Sequence, residues 1–331
     1  MKISLADFSH KEELAELWIE AFGDSENFIA SFLDAYMIPE YNVPVIIEDG
    51  KIASALYLVE FELYSETKNL GNCAYLFAAA TKKDQQNKGF MSKLVLYSAE
   101  LCKNRGLKAI FLFPQNQDKK LFDFYAKAKF EPIYCAKRIT KKSSPESEKK
   151  DFTGYKLERK DISDVDVFDG LYDSYVDFTS RQELAPMKDR LFYFKCASEY
   201  LKIPENSKTG TYFAVFENNV EKFCYVFYKK YKNTYYIDDI ILSADRSERF
   251  ERVKYGDNKK RFSETAELLA DFIVNSGTFG ENITLGMNVL PSRGNGGQNI
   301  PLAMILPLSE DIKNITRNLE FPVYINMFMN I

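Results

Sequence analysis

Ten consecutive residues without an apolar side chain, 141–150 (KKSSPESEKK), interrupt this sequence near its middle. A segment with nothing to bury cannot join a core, so it reads as an exposed linker between two separately packed parts. The length of 331 residues fits this reading, because single cores stop growing at roughly 250–300 residues. The expected organisation is a domain over 1–140, the linker at 141–150 and a second domain over 151–331. Hydrophobic residues at 46% and aromatic residues at 15% supply enough large side chains for both cores.

Several functions are disfavoured at once. A formal net charge of -4 gives no support for nucleic acid as the partner, which calls for a basic excess. The N-terminus MKISLADFSHKEEL lacks a signal-peptide apolar run, and no stretch is long and apolar enough to span a bilayer. No membrane partner is expected, and the location expected is cytoplasmic. Cys73, Cys102, Cys135, Cys196 and Cys224 are odd in number, widely spaced and without a CxxC pair. They read as reduced buried thiols, and no metal is required. With His10 as the single histidine, a multi-histidine metal centre or a Ser-His-Asp triad would have to be built around one residue. Ser9 and Glu12 have capping-box spacing around it, which places His10 at a solvated helix start.

Leu14, Leu17, Trp18, Ala21 and Phe22 then recur at helical spacing, and a second helix is expected over 26–36. Apolar runs at 43–48 and 52–60 flank Asp49-Gly50, a hairpin signal. A strand over 72–81 leads through a polar turn at 82–88 and Gly89 into a helix. Its stripe is Met91, Leu94, Val95, Ser98, Ala99 and Cys102, and Gly106 ends it. A strand at 109–113, a helix carrying Leu121, Phe124, Tyr125 and Ala128, and a final strand at 131–139 complete an α/β (α+β) domain. Beyond the linker the order is similar: helices at 162–178 and 187–201, strands at 212–217, 223–228 and 235–243, a helix at 264–274 and a strand at 282–289. A duplicated fold is the expectation. The glycine-rich stretch 291–299 (PSRGNGGQN) lacks the Gly-Lys-Ser/Thr ending of a P-loop and reads as a flexible loop.

Chemistry is concentrated in 78–94 (AAATKKDQQNKGFMSKL). A strand, a turn with one glycine and the first turn of an amphipathic helix present free backbone N–H groups and a partial positive charge, which suit a phosphate. Gly89 permits an unusual φ and close backbone approach, and Lys88 adds charge. One glycine before a helix is also what an ordinary turn looks like.

At this point the chain resembles the Gcn5-related N-acetyltransferases (GNAT). In that family a strand runs into Gln/Arg-x-x-Gly-x-Gly/Ala, whose amides hold the CoA pyrophosphate; here the segment reads Gln86-Asn87-Lys88-Gly89-Phe90-Met91. Met91 departs from the usual Gly or Ala but resembles a subgroup with a bulky apolar residue there. Thr81, Asp84 and Gln86 sit where such proteins often show Thr, a turn residue and Arg. Downstream, Pro114-Gln115-Asn116 and Phe124-Tyr125-Ala126-Lys127-Ala128-Lys129-Phe130 resemble the family's Asn and Phe-Tyr-x-x-x-Gly-Phe, with Lys129 replacing Gly. The resemblance covers about residues 1–140. It is similar to the two-domain type of the mycobacterial enhanced intracellular survival acetyltransferases, without their third, sterol-carrier-like domain.

The resemblance implies a GNAT fold with a mixed, mostly antiparallel sheet, followed by a degenerate GNAT-like copy that shapes the acceptor pocket. It implies acetyl-CoA as co-substrate and direct attack by a small-molecule or peptide amine in a ternary complex. Ala79, Ala80, Thr81, Gln86, Asn87, Lys88, Gly89, Phe90, Met91 and Asn116 would bind the cofactor. Tyr125 matches the tyrosine beside the CoA sulfur and is the candidate acid; its plain alternative is a core aromatic. Glu60 and Glu62 share a strand face as candidate bases or as a solvated edge. By the same resemblance Ile331 could act as base through a terminal carboxylate. A non-catalytic acyl-CoA sensor or scaffold, or an aromatic binding module, are the alternatives. The sequence names neither the acceptor nor the oligomeric state.

Overall fold

The apolar runs and turn signals sort into thirteen strands and eight helices in the computed structural model, which describes residues 1–36, 42–114, 118–142, 151–202, 209–244, 255–276, 279, 284–289 and 300–319. The first stretch gives β1 (Lys2–Leu5), α1 (Lys11–Phe22), α2 (Glu26–Tyr36), β2 (Pro44–Glu48), β3 (Lys51–Ser65) and β4 (Lys68–Thr81). Then come α3 (Phe90–Asn104), β5 (Ala109–Leu112), α4 (Lys119–Lys127) and β6 (Glu131–Lys142). The second half gives β7 (Lys156–Arg159), α5 (Val165–Ser180), β8 (Ala185–Met187), α6 (Arg190–Tyr200), β9 (Thr209–Glu217), β10 (Lys222–Tyr231) and β11 (Thr234–Leu242). It ends with α7 (Tyr255–Asn275), β12 (Thr284–Val289), β13 (Ile300–Pro307) and α8 (Glu310–Asn318).

Two compact units result. The first comprises Met1–Leu63, Leu70–Ile133 and Ala303–Asn318; the second comprises Tyr64–Asn69, Tyr134–Leu302 and Leu319–Ile331. In the first unit the strands lie in the order β1-β2-β3-β4-β5-β13. Its β4–β5 step is parallel (Ala74↔Ile110, Tyr75↔Phe111), whereas β1–β2, β2–β3 and β5–β13 are antiparallel. Leu56, Leu58, Ala74, Leu76, Ile110 and Leu112 on the sheet share a buried cluster with Phe90, Leu94, Val95 and Cys102 of α3, with Tyr125 of α4 and with Met304 of β13. Burying such side chains contributes roughly 1.5–3 kcal/mol each, so α3 is firmly seated.

The second unit orders its strands β6-β12-β11-β10-β9-β7. It too has one parallel step, β11–β12, among antiparallel neighbours. Both units are therefore mixed, mostly antiparallel sheets with one parallel pair. Each sheet also takes a strand from the other half of the sequence. β6 pairs β12 (Thr284↔Lys142 to Val289↔Lys137), and β13 pairs β5 (Met304↔Leu112 to Pro307↔Ala109). The polar tract begins inside β6, whose pairing runs through Lys142; residues 143–150 and 291–299 lie outside the described residues.

Local chemistry differs from expectation in two places. The box around His10 is built by Asp7: its carboxylate accepts from Ser9 N at 2.9 Å, and His10 Nδ1 accepts from Asp7 N at 3.2 Å. α1 itself starts without a side-chain cap, because Ser9 Oγ is spent on Asp7 at 2.5 Å. The Asp49-Gly50 turn has φ of 50° and 76°, as a primed hairpin turn requires. The next turn, Glu66-Thr67, has φ of 46° and 72° with no glycine to announce it. Cys73, Cys102, Cys196 and Cys224 are buried free thiols. Among the described residues no helix is long and apolar enough to cross a membrane.

Candidate active site

The site forms where β4 outruns its neighbour. Pairing with β5 stops at Tyr75, yet β4 continues to Thr81. Ala78 takes φ 44°, a left-handed conformation that costs a non-glycine residue on the order of 1–2 kcal/mol. Such a kink inside a strand is the signature of a bulge, which breaks side-chain alternation. Ala74 and Leu76 belong to the α3-side core, but the next β4 residue packed there is Ala79. The backbone of the last β4 residues thereby faces the gap beside β5 with its amides outside any β4–β5 ladder.

The turn after β4 is braced by its own side chains. Ser54 Oγ donates to Ala80 O at 2.9 Å and lies 2.8 Å from Thr81 Oγ1. Lys82 N donates to Ala53 O at 3.0 Å, and Gln86 Nε2 to Thr81 O at 3.3 Å. Lys88 Nζ reaches Gln85 Oε1 at 2.7 Å. Asn87 and Gly89 both take left-handed φ, 63° and 74°, so the chain turns twice before α3. Gly89 stands at the N-cap and supplies no side-chain cap to the first turn of α3. A Cβ at Gly89 would meet nothing within 4 Å. An exposed, uncapped helix N-terminus with open space before it and Lys82, Lys83 and Lys88 around it fits a phosphate group.

The expected cofactor residues of β4 and the loop each have a definite place. Thr81 and Gln86 commit their side chains to the turn's frame, so their backbone is what remains for a ligand. Phe90 is buried in the core, Ala80 is buried, and Met91 and Ala79 pack against the same core from half-buried positions. Met91 therefore anchors the helix start, which accounts for a bulky apolar residue there. Asn116 and Ile331 lie outside the described residues.

Tyr125 is buried on α4, its ring 5.0 Å from Phe124 and 5.6 Å from Phe130. Burial pushes its phenol up to about 12, so it stays protonated. Lys129 takes φ 70° at the position of the usual glycine. Lys129 N donates to Ala126 O at 3.0 Å and Phe130 N to Tyr125 O at 3.1 Å, the paired bonds of a Schellman ending. Gly106 ends α3 in the same way: its φ is 78°, Gly106 N donates to Lys103 O and Leu107 N to Cys102 O. The turn is therefore kept despite the substitution, at a steric cost. Lys129→Gly is expected to stabilise the protein by about 1 kcal/mol, seen as a higher denaturation midpoint. An unchanged or lower midpoint would show that the lysine is accommodated without strain.

Glu60 and Glu62 are exposed on β3, and Glu60 Oε1 lies 3.5 Å from Arg105 Nη1. Arg105 follows the last residue of α3, and the 15 residues of that helix separate it from Gly89 by roughly 22 Å. Glu60 belongs to a surface ion pair at the far end.

The family model described as acetyltransferase (GNAT) domain matches residues 2–133. Residues 2–133 thus carry an acyltransferase domain of the GNAT type, and the β4–α3 loop lies within them. Among solved structures, a probable N-acyltransferase from Enterococcus faecalis V583 shares 13% identity at TM-score 0.67, over 93% of this chain and 72% of that one. A GCN5-related N-acetyltransferase from Anabaena variabilis ATCC 29413 shares 12% at TM-score 0.63, over 93% and 73%. Eis1 from Mycobacterium abscessus shares 8% at TM-score 0.60, over 93% and 74%. At these identities the likeness speaks for the fold, and it extends beyond the GNAT domain into the second unit, as the two-domain resemblance implied. No curated protein sequence matches at a significant level.

Proposed function

We propose that this protein transfers an acetyl group from acetyl-CoA to a primary amine by direct attack of the amine. The observation that carries the reading is the β4 edge, which leaves β5 at Tyr75, kinks at Ala78 and feeds an uncapped helix start at Gly89. Backbone amides from Gln86 to Met91, with Lys88, would hold the pyrophosphate, and Asn116 would add a contact beyond β5. The free edge at Ala79, Ala80 and Thr81 would hold the pantetheine arm and polarise the carbonyl oxygen. Acetyl-CoA supplies the activated acyl group and a thiol leaving group.

Tyr125 would hold the proton that this thiol needs. An ordinary thiol, at roughly 8.5, would not take a proton from a phenol at about 12. Burial changes that balance. In the same unit it pushes the Cys102 thiol up to about 12, the direction in which exclusion of water would move a thiol toward Tyr125. The buried free thiols agree with work in a reducing, cytoplasmic compartment.

Thiol release from acetyl-CoA in the presence of a panel of primary amines, with mass spectrometry of the acceptor, tests this reading. It predicts release that depends on the amine and an N-acetylated product. Acetyl-CoA binding without transfer to any amine would make the protein a sensor or scaffold instead.

A further inference from the structure

From Ile52 to Val59 every residue of β3 is buried, and Ser54 is the one side chain there that carries no apolar group to pack. Burying a hydroxyl costs free energy unless it is hydrogen-bonded. Ser54 is bonded twice, and both bonds reach the end of β4: Ala80 O lies at 2.9 Å and Thr81 Oγ1 at 2.8 Å. A serine has one proton to give, and a carbonyl only accepts. The Ser54 proton therefore goes to Ala80 O, and Thr81 Oγ1 is the donor of the second bond.

These bonds set the direction of a backbone amide. A planar trans peptide points its C=O and its N–H in opposite directions. β4 lies between β3 and β5, and its pairing with β5 stops at Tyr75. Holding Ala80 O toward β3 thus turns the Thr81 N–H away from β3, into the gap beside β5. The next peptide is fixed in the same sense. Lys82 N donates to Ala53 O at 3.0 Å, which turns Thr81 O to the gap, where Gln86 Nε2 meets it at 3.3 Å. Thr81 stands between the kink at Ala78 and the helix start at Gly89 with its amide aimed at the open side.

A cofactor with its phosphates at Gly89 and its arm running back along β4 passes Thr81 before it reaches the kink. The pantetheine arm carries amide carbonyls, which accept hydrogen bonds. We infer that Ser54 is a positioning residue for the cofactor: it touches no part of it, and it aims the Thr81 N–H at an amide carbonyl of the arm. This inference rests on the acetyltransferase reading above. Removing the Ser54 hydroxyl leaves Ala80 O without its side-chain tie to β3, and the Ala80–Thr81 peptide is then free to tilt.

Titration calorimetry of the full-length protein with acetyl-CoA and with ADP, which keeps the pyrophosphate and lacks the arm, tests this role. Ser54→Ala is predicted to raise the Kd for acetyl-CoA about tenfold, the scale of one hydrogen bond. The Kd for ADP should stay within about twofold, because the Gly89 loop is untouched. Ser54→Thr, which restores the hydroxyl, should bring acetyl-CoA binding back toward the wild-type value. If Ser54→Ala fails to fold, Ser54→Cys keeps the size, donates only weakly and carries the same predictions. An unchanged Kd for acetyl-CoA, an equal loss for ADP, or a loss that Ser54→Thr does not recover would overturn the inference and return Ser54 to packing. Each of those results leaves the acetyltransferase reading standing, whereas no binding of acetyl-CoA by the wild-type protein would remove that reading and this inference with it.

Discussion

Gly89→Glu is expected to raise the Kd for acetyl-CoA by at least about 100-fold in titration calorimetry, with the fold intact. Two effects combine. Gly89 holds φ 74°, and any side chain there costs roughly 1–2 kcal/mol of the conformation that aims the α3 amides. The larger effect is charge. A Cβ at this position has nothing within 4 Å, so the new carboxylate would stand in the open space before the helix. There it would take over the helix N-terminus that the phosphate needs and repel the phosphate, at about 4 kcal/mol for a pair of charges close together near a surface. A hundredfold loss needs only about 2.7 kcal/mol. A negative residue in the first helical turn is favourable for folding, so thermal stability should fall little. Gly89→Ala separates the two effects, because it keeps the backbone cost and omits the charge. It should lose about tenfold.

Tyr125→Phe is expected to lower kcat by about 100-fold or more while leaving the Kd for acetyl-CoA unchanged, as befits a group that gives a proton and holds no cofactor. The substitution keeps the ring and its packing against Phe124 and Phe130, so structure should be spared. A pH profile adds a second readout. Because burial holds the phenol up at about 12, the neutral form persists where an ordinary tyrosine ionises. The wild-type kcat should rise with pH as the amine loses its proton, and should not fall again across the range near 10. Unchanged turnover in Tyr125→Phe would return Tyr125 to the role of a core aromatic.

The β4–α3 loop was legible in the sequence because the features that build it are local. A strand, Gly89 and an amphipathic stripe are each visible within twenty residues, and each took the expected form. The kink at Ala78 was hidden, since three alanines in a row announce neither a bulge nor a change of face. Lys129 looked like a departure from the glycine of the family, yet the backbone kept the left-handed turn and absorbed the strain. The box around His10 was misplaced by two residues, because Asp7 is the stronger acceptor and captured Ser9 first. Pairings between distant segments left no trace either. Nothing in residues 131–142 says which sheet edge they join, and nothing in 300–307 says that β13 lies beside β5. The helical stripe showed Trp18 and Phe22, but not that Phe77 of β4 would meet the Trp18 ring at 5.5 Å.

Calorimetric titration of the wild-type protein with acetyl-CoA tests the central claim most directly. One saturable site per chain, in the micromolar range, is the predicted result, with the phosphates at the Gly89 loop. No saturable heat would contradict the account outright, and equal binding by wild type and Gly89→Glu would contradict the placement at that loop.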